Sequence, residues 1–116
     1  MTSFKRTLQR LTLHARKQAI ADAVMALVST QLDIPLRVVL SSRRTAPVCW
    51  ARHCGMVIAK ELTDLPLQEI ASLFNRDDHA TVSNAIKHVN KERATSRHRR
   101  IEFAKLKRLA LDVCRE

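Results

Sequence analysis

Apolar residues recur at intervals of three and four positions through most of the chain, which is the spacing of one face of an α-helix. The longest run of this kind predicts one amphipathic helix from Phe4 to about Gln31. Pro35 suits the first turn of a short second helix, and Pro47 suits the start of a third that ends near Leu62. The polar and basic residues 41–46 predict a loop between these two helices.

The second half of the chain predicts two short helices joined by a polar turn, followed by a last helix. The fourth helix covers residues 67–74, and the fifth begins near His79 with Asp78 as its N-cap. The last helix is strongly basic and covers residues 97–115. Its predicted inward side carries Ile101, Ala104, Leu106, Leu109 and Val113.

Composition favours a single all-helical domain over residues 1–116. A chain of 116 residues can bury one usable core, but it is too short for a second catalytic domain. It contains one glycine, three prolines and no tyrosine, which argues against a β-sandwich or barrel with its many turns. The sequence therefore predicts an all-α fold of about six helices, beginning with a long N-terminal helix in residues 1–31.

The net charge of the chain indicates which class of molecule it is expected to bind. Lys and Arg number 21 against 11 Asp and Glu, which gives a formal charge of +10. Nucleic acid is the leading polyanion, because basic domains gain affinity by releasing counterions from phosphates, and a membrane surface is its competitor. The chain begins with charged residues and has no apolar run of about 18 residues. We expect a cytoplasmic, nucleoid-associated protein that binds double-stranded DNA and no membrane.

Candidate catalytic and metal-binding patterns are weak. Cys49 and Cys54 could share a zinc site with His53 or His79, but the spacing lacks a second cysteine pair, and Cys114 leaves an odd number of thiols. The sequence has no nucleophile elbow, paired-carboxylate frame or HExxH spacing, and one lone glycine cannot make a phosphate loop. We therefore expect no enzymatic activity, no metal, no cofactor and no ATP binding.

The segment in residues 67–90 has the parts of a helix-turn-helix. Ala71 supplies a small residue where the two helices cross, while Val82 and Ile86 are spaced to bury the rear of the second helix. The N-terminal end of that helix is then exposed, as it is in helices that read a DNA groove. Its residues are His79, Ala80, Thr81, Ser83 and Asn84. An ordinary helical hairpin is the alternative interpretation.

Several segments resemble one known family. They are Ser41-Ser42-Arg43-Arg44, Lys60-Glu61-Leu62-Thr63, Leu67-Gln68-Glu69-Ile70 with Phe74, and Asp78-His79-Ala80-Thr81-Val82. Together they resemble the C-terminal DNA-binding domain of the bacterial replication initiator DnaA, over roughly residues 24–110. The resemblance implies a helical fold like that of the Trp repressor and sequence-specific binding of duplex DNA.

The resemblance also implies a role for individual residues. Arg44 matches the arginine of the family's basic loop, which enters the minor groove where A·T-rich DNA is narrow and strongly negative. The base-reading residues it implies are Arg44, Gln68, Asp78, His79, Ala80 and Thr81. The expected backbone contacts are Arg43, Arg52, Lys60, Arg76, Ser83 and Asn84.

The turn departs from the family's motif, which usually reads Gly-Gly-Arg-Asp-His-Thr-Thr. Here the segment from Asn75 to Thr81 places Asp77 where the family has arginine, and an acid repels a nearby phosphate. Arg76, one residue earlier, restores part of the positive potential. Ala80 loses a hydroxyl but keeps a methyl that can touch a thymine methyl, and Gln68 replaces the usual proline. The initiator's usual box is therefore not assumed as the target.

The function expected from these features is that of a free-standing DNA reader without an ATPase module, acting as a transcriptional regulator. One alternative is a modulator of replication initiation that competes at initiator boxes. Another is a protein-interaction module that no longer reads bases. A homodimer through the N-terminal or C-terminal helix would allow a palindrome to be read, and the sequence leaves this open.

Overall fold

The protein is helical throughout the part that a computed structural model describes, residues 4–115. These residues contain no strand, and the prediction of an all-α fold is confirmed. The described helices are α1 (Phe4–Gln9), α2 (Leu13–Gln31), α3 (Leu36–Val39), α4 (Ala46–Thr63), α5 (Leu67–Leu73), α6 (Ala80–Thr95) and α7 (Arg97–Arg115).

The structure divides the predicted first helix into α1 and α2, so the described part has one helix more than the six expected. Thr12 begins α2 as its N-cap, and its hydroxyl accepts a hydrogen bond from the backbone N–H of Ala15 (3.2 Å). Arg16 closes the corner by donating to the carbonyl oxygens of Leu11 (3.0 Å) and Gln9 (3.2 Å). The apolar spacing continues through this corner, and for that reason it did not reveal the break. Residues 1–3 of the predicted helix lie outside the described residues.

Helix α4 is the centre of the fold, with eleven buried residues, and α2 and α6 make the most extensive contacts with it. No helix within residues 4–115 combines the length and the apolar character needed to cross a bilayer. The core is formed by side chains from six helices, α2 to α7, and from the segments that follow α4 and α5. Its largest fully buried members include Val24, Val28, Met56, Ile58, Leu65, Ile70, Phe74, Val82, Val89, Phe103 and Leu106.

Helix α7 buries a different stripe from the predicted one. Ile101 is 56% exposed and Ala104 is exposed, whereas Phe103, Leu106 and Ala110 are buried. The buried face therefore follows Phe103, whose ring is the largest apolar group that this helix buries. The guanidinium of Arg93 on α6 covers this ring, 4.5 Å from its centroid.

A glycine sets the distance between α4 and the end of α5. A Cβ atom at Gly55 would lie 2.9 Å from Cζ and 3.0 Å from Cε2 of Phe74, closer than a side-chain carbon can approach. Phe74 follows α5 directly and is fully buried, so its ring has no space into which it can move. The missing side chain at Gly55 therefore lets the first helix of the helix-turn-helix pack onto α4.

We expect Gly55→Ala to destabilise the fold although alanine is the better helix former. The helical preference favours the variant by about 1 kcal/mol, whereas overpacking against a buried ring costs about 1–3 kcal/mol. Urea denaturation should therefore show a net loss in the free energy of unfolding. Phe74→Leu should cost less stability in the presence of Gly55→Ala than alone, since it relieves the overlap, and equal costs would contradict this account.

Candidate nucleic-acid interface

The turn of the helix-turn-helix is built by a left-handed residue directly after α5. Asn75 has φ 60°, a conformation that asparagine tolerates better than most residues. Its N–H donates to the carbonyl of Ser72 (3.0 Å), and the N–H of Arg76 donates to that of Ala71 (2.8 Å), which is the Schellman pattern of helix ends. Asn75 thus performs the task of the glycine that the DnaA motif has at this position.

The N-cap of α6 is His79, one residue after the predicted Asp78, and Asp78 binds the first turn from the position before it. An oxygen of the Asp78 side chain accepts a hydrogen bond from the N–H of Ala80 (2.9 Å). From the start of α5, the side-chain amide of Gln68 donates to the carbonyl of Asp77 (3.0 Å) and braces the turn. The structure therefore brings Gln68 to the exposed start of α6, where Asp78, His79 and Ala80 are exposed and Thr81 is half-buried.

The basic loop, residues 41–45, is held from inside the fold by Arg52 of α4. Nε of Arg52 donates to the carbonyl of Val39 (2.7 Å), and Nη2 donates to those of Ser41 (2.8 Å) and Arg43 (3.0 Å). Burial and, after it, the charge of Arg76 lower the pKa of Arg52 from its ordinary value. Because that value is so far above neutrality, the guanidinium stays charged and its hydrogen bonds are charge-assisted.

The predicted contact of Arg52 with the DNA backbone stays a prediction, but the structure turns this side chain inward. The residue is only 3% exposed, and its guanidinium is engaged with three carbonyl oxygens of the fold. Its family match concerned the position in the sequence, which does not distinguish an arginine that reaches outward from one that turns inward. The side chain points inward because the loop at residues 41–45 folds back over α4 and presents its carbonyls to Arg52.

Lys60 is also hydrogen-bonded within the fold, and its predicted phosphate contact stays a prediction. Its ammonium donates to the carboxylate of Asp64 and to the carbonyl of Leu65, both at 2.9 Å. These bonds close the end of α4, where Asp64 is left-handed with φ 54°. Lys60 lies eight residues beyond Arg52, a distance of about 12 Å along the helix, and thus away from the basic loop.

A cleft of about 420 Å³ separates the basic loop from α6, and we call it the arginine cleft. Nη2 of Arg76, in the turn, donates to the carbonyl of Ser41 (2.6 Å), which is the same oxygen that Arg52 binds. The basic loop and the helix-turn-helix are therefore fastened to each other through one acceptor. The cleft is lined by Ser42, Arg44, Cys49, Arg52, His53, Arg76, Thr81 and Asn84.

Most of the remaining predicted residues surround this cleft. Arg43 and Arg44 are exposed, and no hydrogen bond or ion pair from another side chain of residues 4–115 holds either guanidinium. Asn84 is exposed and Ser83 is half-buried, both on the first turns of α6. The structure thus places the loop arginines and the start of α6 on neighbouring parts of one surface.

Two histidines behind this surface join α4 to α6. Nδ1 of His53 lies 2.7 Å from Nδ1 of His88, so one ring donates to the other, and the edge of the His88 ring meets Trp50. Burial, and then the charges of His88, Arg52 and Arg76, lower the pKa of His53 to about 4. The sequence alone does not reveal this pair, because no spacing pattern relates residues 35 positions apart on different helices.

Metal ligands are not grouped in this region. Within residues 4–115, no three side chains of the His, Cys, Asp and Glu classes cluster in a way that could hold a metal ion. Cys49, Cys54 and Cys114 are free thiols.

We expect Arg52→Lys to loosen the basic loop. Lysine retains the charge, but its ammonium cannot reproduce the fork that reaches three carbonyls, and each buried carbonyl left without a donor costs about 1–3 kcal/mol. Urea denaturation should show a free energy of unfolding lowered by about 2 kcal/mol, and amide hydrogen exchange in residues 41–45 should accelerate. Arg108→Lys, on the exposed face of α7, is the matched control and should change neither quantity. Unchanged exchange in the loop would contradict this role.

Acid should destabilise the protein through His53. The pKa of His53 is about 4 in the folded chain against an ordinary value of 6.5, so the unfolded chain binds more protons between these pH values. The free energy of unfolding should therefore fall as the pH drops from 6.5 towards 4, with no contribution from this group at higher pH. His53→Gln cannot titrate and should flatten this fall in urea titrations, whereas His98→Gln, at an exposed site, should not. Identical curves for wild type and His53→Gln would exclude this assignment.

Comparison with known proteins identifies the segment that forms this surface. A family model described as the bacterial dnaA protein helix-turn-helix matches residues 21–89. Three similar proteins, each named chromosomal replication initiator protein DnaA, come from Xanthobacter autotrophicus, Thermodesulfovibrio yellowstonii and Chromobacterium violaceum. They are 36%, 34% and 32% identical to this chain over 101, 89 and 91 residues, which cover 84%, 77% and 78% of it. The chain spans about a fifth of the length of these relatives, 19% or 20%.

The matched residues include every part of the surface described above. Residues 21–89 contain the basic loop, α4 with Arg52, the turn with Arg76 and the start of α6. The match covers more than half of the chain and confirms the resemblance drawn from the sequence motifs. This chain therefore belongs to the bacterial DnaA helix-turn-helix family, whose domains bind DNA.

Proposed function

We propose that the chain binds double-stranded DNA in a sequence-specific manner and acts as a transcriptional regulator. The observation that carries this proposal is the shared acceptor at Ser41, which fastens the basic loop to the helix-turn-helix. Two segments that suit different grooves are held side by side in this way, so one docking event can engage both. The proposed activity is binding and requires no catalytic group.

The start of α6 is the proposed major-groove reader. Its exposed side chains offer different chemistries, since Asp78 can accept from a cytosine amino group and the Ala80 methyl can touch a thymine methyl. His79 and Thr81 can each donate or accept a hydrogen bond. Gln68 lies beside this end through its bond to the turn and completes the proposed base-reading set.

Arg44 is the proposed minor-groove reader. Its guanidinium is exposed, and it projects from a loop whose backbone is fixed by Arg52 and Arg76. An arginine presented in this way favours a narrow A·T-rich groove, where the negative potential is strongest. A fixed loop also lowers the entropy that must be lost when the side chain is inserted.

Backbone contacts are proposed for Arg43, Arg76, Ser83 and Asn84, which lie beside the two reading elements. The net charge of +10 supports them, because each neutralised phosphate releases counterions and strengthens binding at low salt. Binding of this kind would place the protein on the nucleoid. A second copy, paired through an N-terminal or C-terminal helix, would extend the site to a palindrome.

One alternative role uses the same surface. The relatives are named replication initiators, and the similarity to them includes the reading elements, which favours competition at initiator boxes. A second alternative is a protein-interaction module, and the exposed acid Asp77 favours it because this charge opposes a nearby phosphate. The target sequence distinguishes these roles.

Selection of bound duplexes from a random pool at physiological salt should enrich a motif with an A·T-rich element beside a mixed-sequence element. Arg44→Ala should lose the preference in the A·T-rich element alone, with affinity for the full motif reduced by about 1–3 kcal/mol. Arg108→Ala removes the same charge from α7 and should leave the motif unchanged. A motif like the initiator's box would support the replication role, and a palindrome would support a dimer. Weak binding without any motif, or no binding at all, would contradict the proposal.

A further inference from the structure

The arginine cleft concentrates positive charge without any acid. Three of its eight lining residues are arginines, Arg44, Arg52 and Arg76, and none is aspartate or glutamate. Two of these guanidiniums are close enough to donate to one oxygen, the carbonyl of Ser41, at 2.8 and 2.6 Å. Like charges so close together raise the energy of the folded state unless an anion compensates them.

Lys60 and Lys107, outside the cleft, each have an acid partner of the kind that the cleft lacks. Lys60 lies 2.9 Å from the carboxylate of Asp64, and Lys107 lies 2.7 Å from that of Glu61. In the cleft, by contrast, the charges of Arg76 and Arg44 both help to lower the pKa of Arg52, after burial, and Arg52 and Arg76 help to lower that of His53. The positive potential there is therefore felt by the groups that line the cleft.

The unused hydrogen-bond donors of the cleft match an oxyanion with several acceptor oxygens. A guanidinium has five N–H donors, and the structure gives Arg76 one hydrogen bond, to Ser41. Arg44 is exposed, and Thr81 and Asn84 of α6, which carry a hydroxyl and an amide, line the same cleft. Arginine binds phosphate oxygens in pairs, and a volume of about 420 Å³ has room for one phosphate group or two linked ones.

We propose that the arginine cleft is a binding site for a phosphate group and that Arg76 is its principal ligand. The DnaA motif has glycine at the position of Arg76, so this site depends on a side chain that the family pattern lacks. The phosphate can come from a DNA backbone, between the groove entered by Arg44 and the groove entered by α6, or from a free phosphate compound. The DNA source rests on the proposed function, whereas binding of a free phosphate does not.

The position of Arg76 gives such a site a second effect. Because its guanidinium already binds Ser41, a phosphate on its other donors would rest against the basic loop and the turn together. Bound phosphate would thus stabilise the arrangement in which Arg44 and Thr81 face a common space. Protection of the amides in residues 41–45 against hydrogen exchange should rise when the site is filled.

The first test uses inorganic pyrophosphate and the full chain, with binding followed by calorimetry at constant ionic strength. Wild type should bind with one saturable site, and Arg76→Ala should bind at least about tenfold more weakly, since it loses charge-assisted hydrogen bonds. Arg76→Lys should fall between them. Arg108→Ala also removes one positive charge, from the exposed face of α7, and should bind as wild type does. Equal losses in both alanine variants, or binding that never saturates, would overturn the proposal in favour of general attraction to a basic protein.

Folding and the source of the phosphate are tested separately. Thr81→Val removes the hydroxyl of a residue that lines the cleft without disturbing the bond between Arg76 and Ser41, so weaker pyrophosphate binding by this variant supports the site even if Arg76→Ala is poorly folded.

With DNA, Arg76→Ala should reduce the log–log salt slope by about 1 while the selected motif stays the same. An unchanged slope together with weakened pyrophosphate binding would assign the site to free phosphate compounds. Absence of DNA binding in wild type would contradict the proposed function and leave the pyrophosphate result standing.

Discussion

One buried guanidinium holds the candidate nucleic-acid interface of this protein together. Arg52 reaches from α4 to three carbonyls of the chain that passes over it, and this chain includes the basic loop. Arg43 and Arg44 are both exposed on this loop, and the repulsion of their like charges would otherwise leave its backbone free to move. The hydrogen bonds of Arg52 replace this freedom by a fixed path, and the bond from Arg76 fastens that path to the turn.

The rest of the fold provides the rigid body that Arg52 needs. Helix α4 can carry a buried charge because three carbonyl oxygens accept hydrogen bonds from Arg52, and the packed residues around it hold the helix in place. Gly55 brings Phe74 against the same helix, which in turn places α5 and the turn that contains Arg76. Contacts within the core therefore determine where the residues of the interface lie.

Features that depend on neighbouring residues could be predicted from the sequence, whereas most features that depend on tertiary contacts could not. Pro35, Pro47 and Asp78 marked helix starts because each acts through its own backbone neighbourhood, and these helices begin within a residue of the expected positions. The corner at Thr12 was not predicted, although its hydrogen bonds are local, because the apolar spacing continues through it. The rotation of α7 around Phe103 was not predicted because it depends on packing against other helices. The same holds for Arg52, where a match in sequence position did not show the inward direction of the side chain. The proposed base-reading residues remain predictions.

The shared acceptor at Ser41 fixes the distance between the two segments that are proposed to enter the grooves of DNA. The separation between the Arg44 loop and the start of α6 is set within the protein, so a bound duplex has to supply any adjustment between the two grooves. DNA steps differ in how easily they bend and twist, and flexible pyrimidine–purine steps make such adjustment less costly. Base pairs that no side chain touches would then influence binding through their stiffness. The affinity of the protein for a site would depend on the deformability of the DNA as well as on the bases that are contacted.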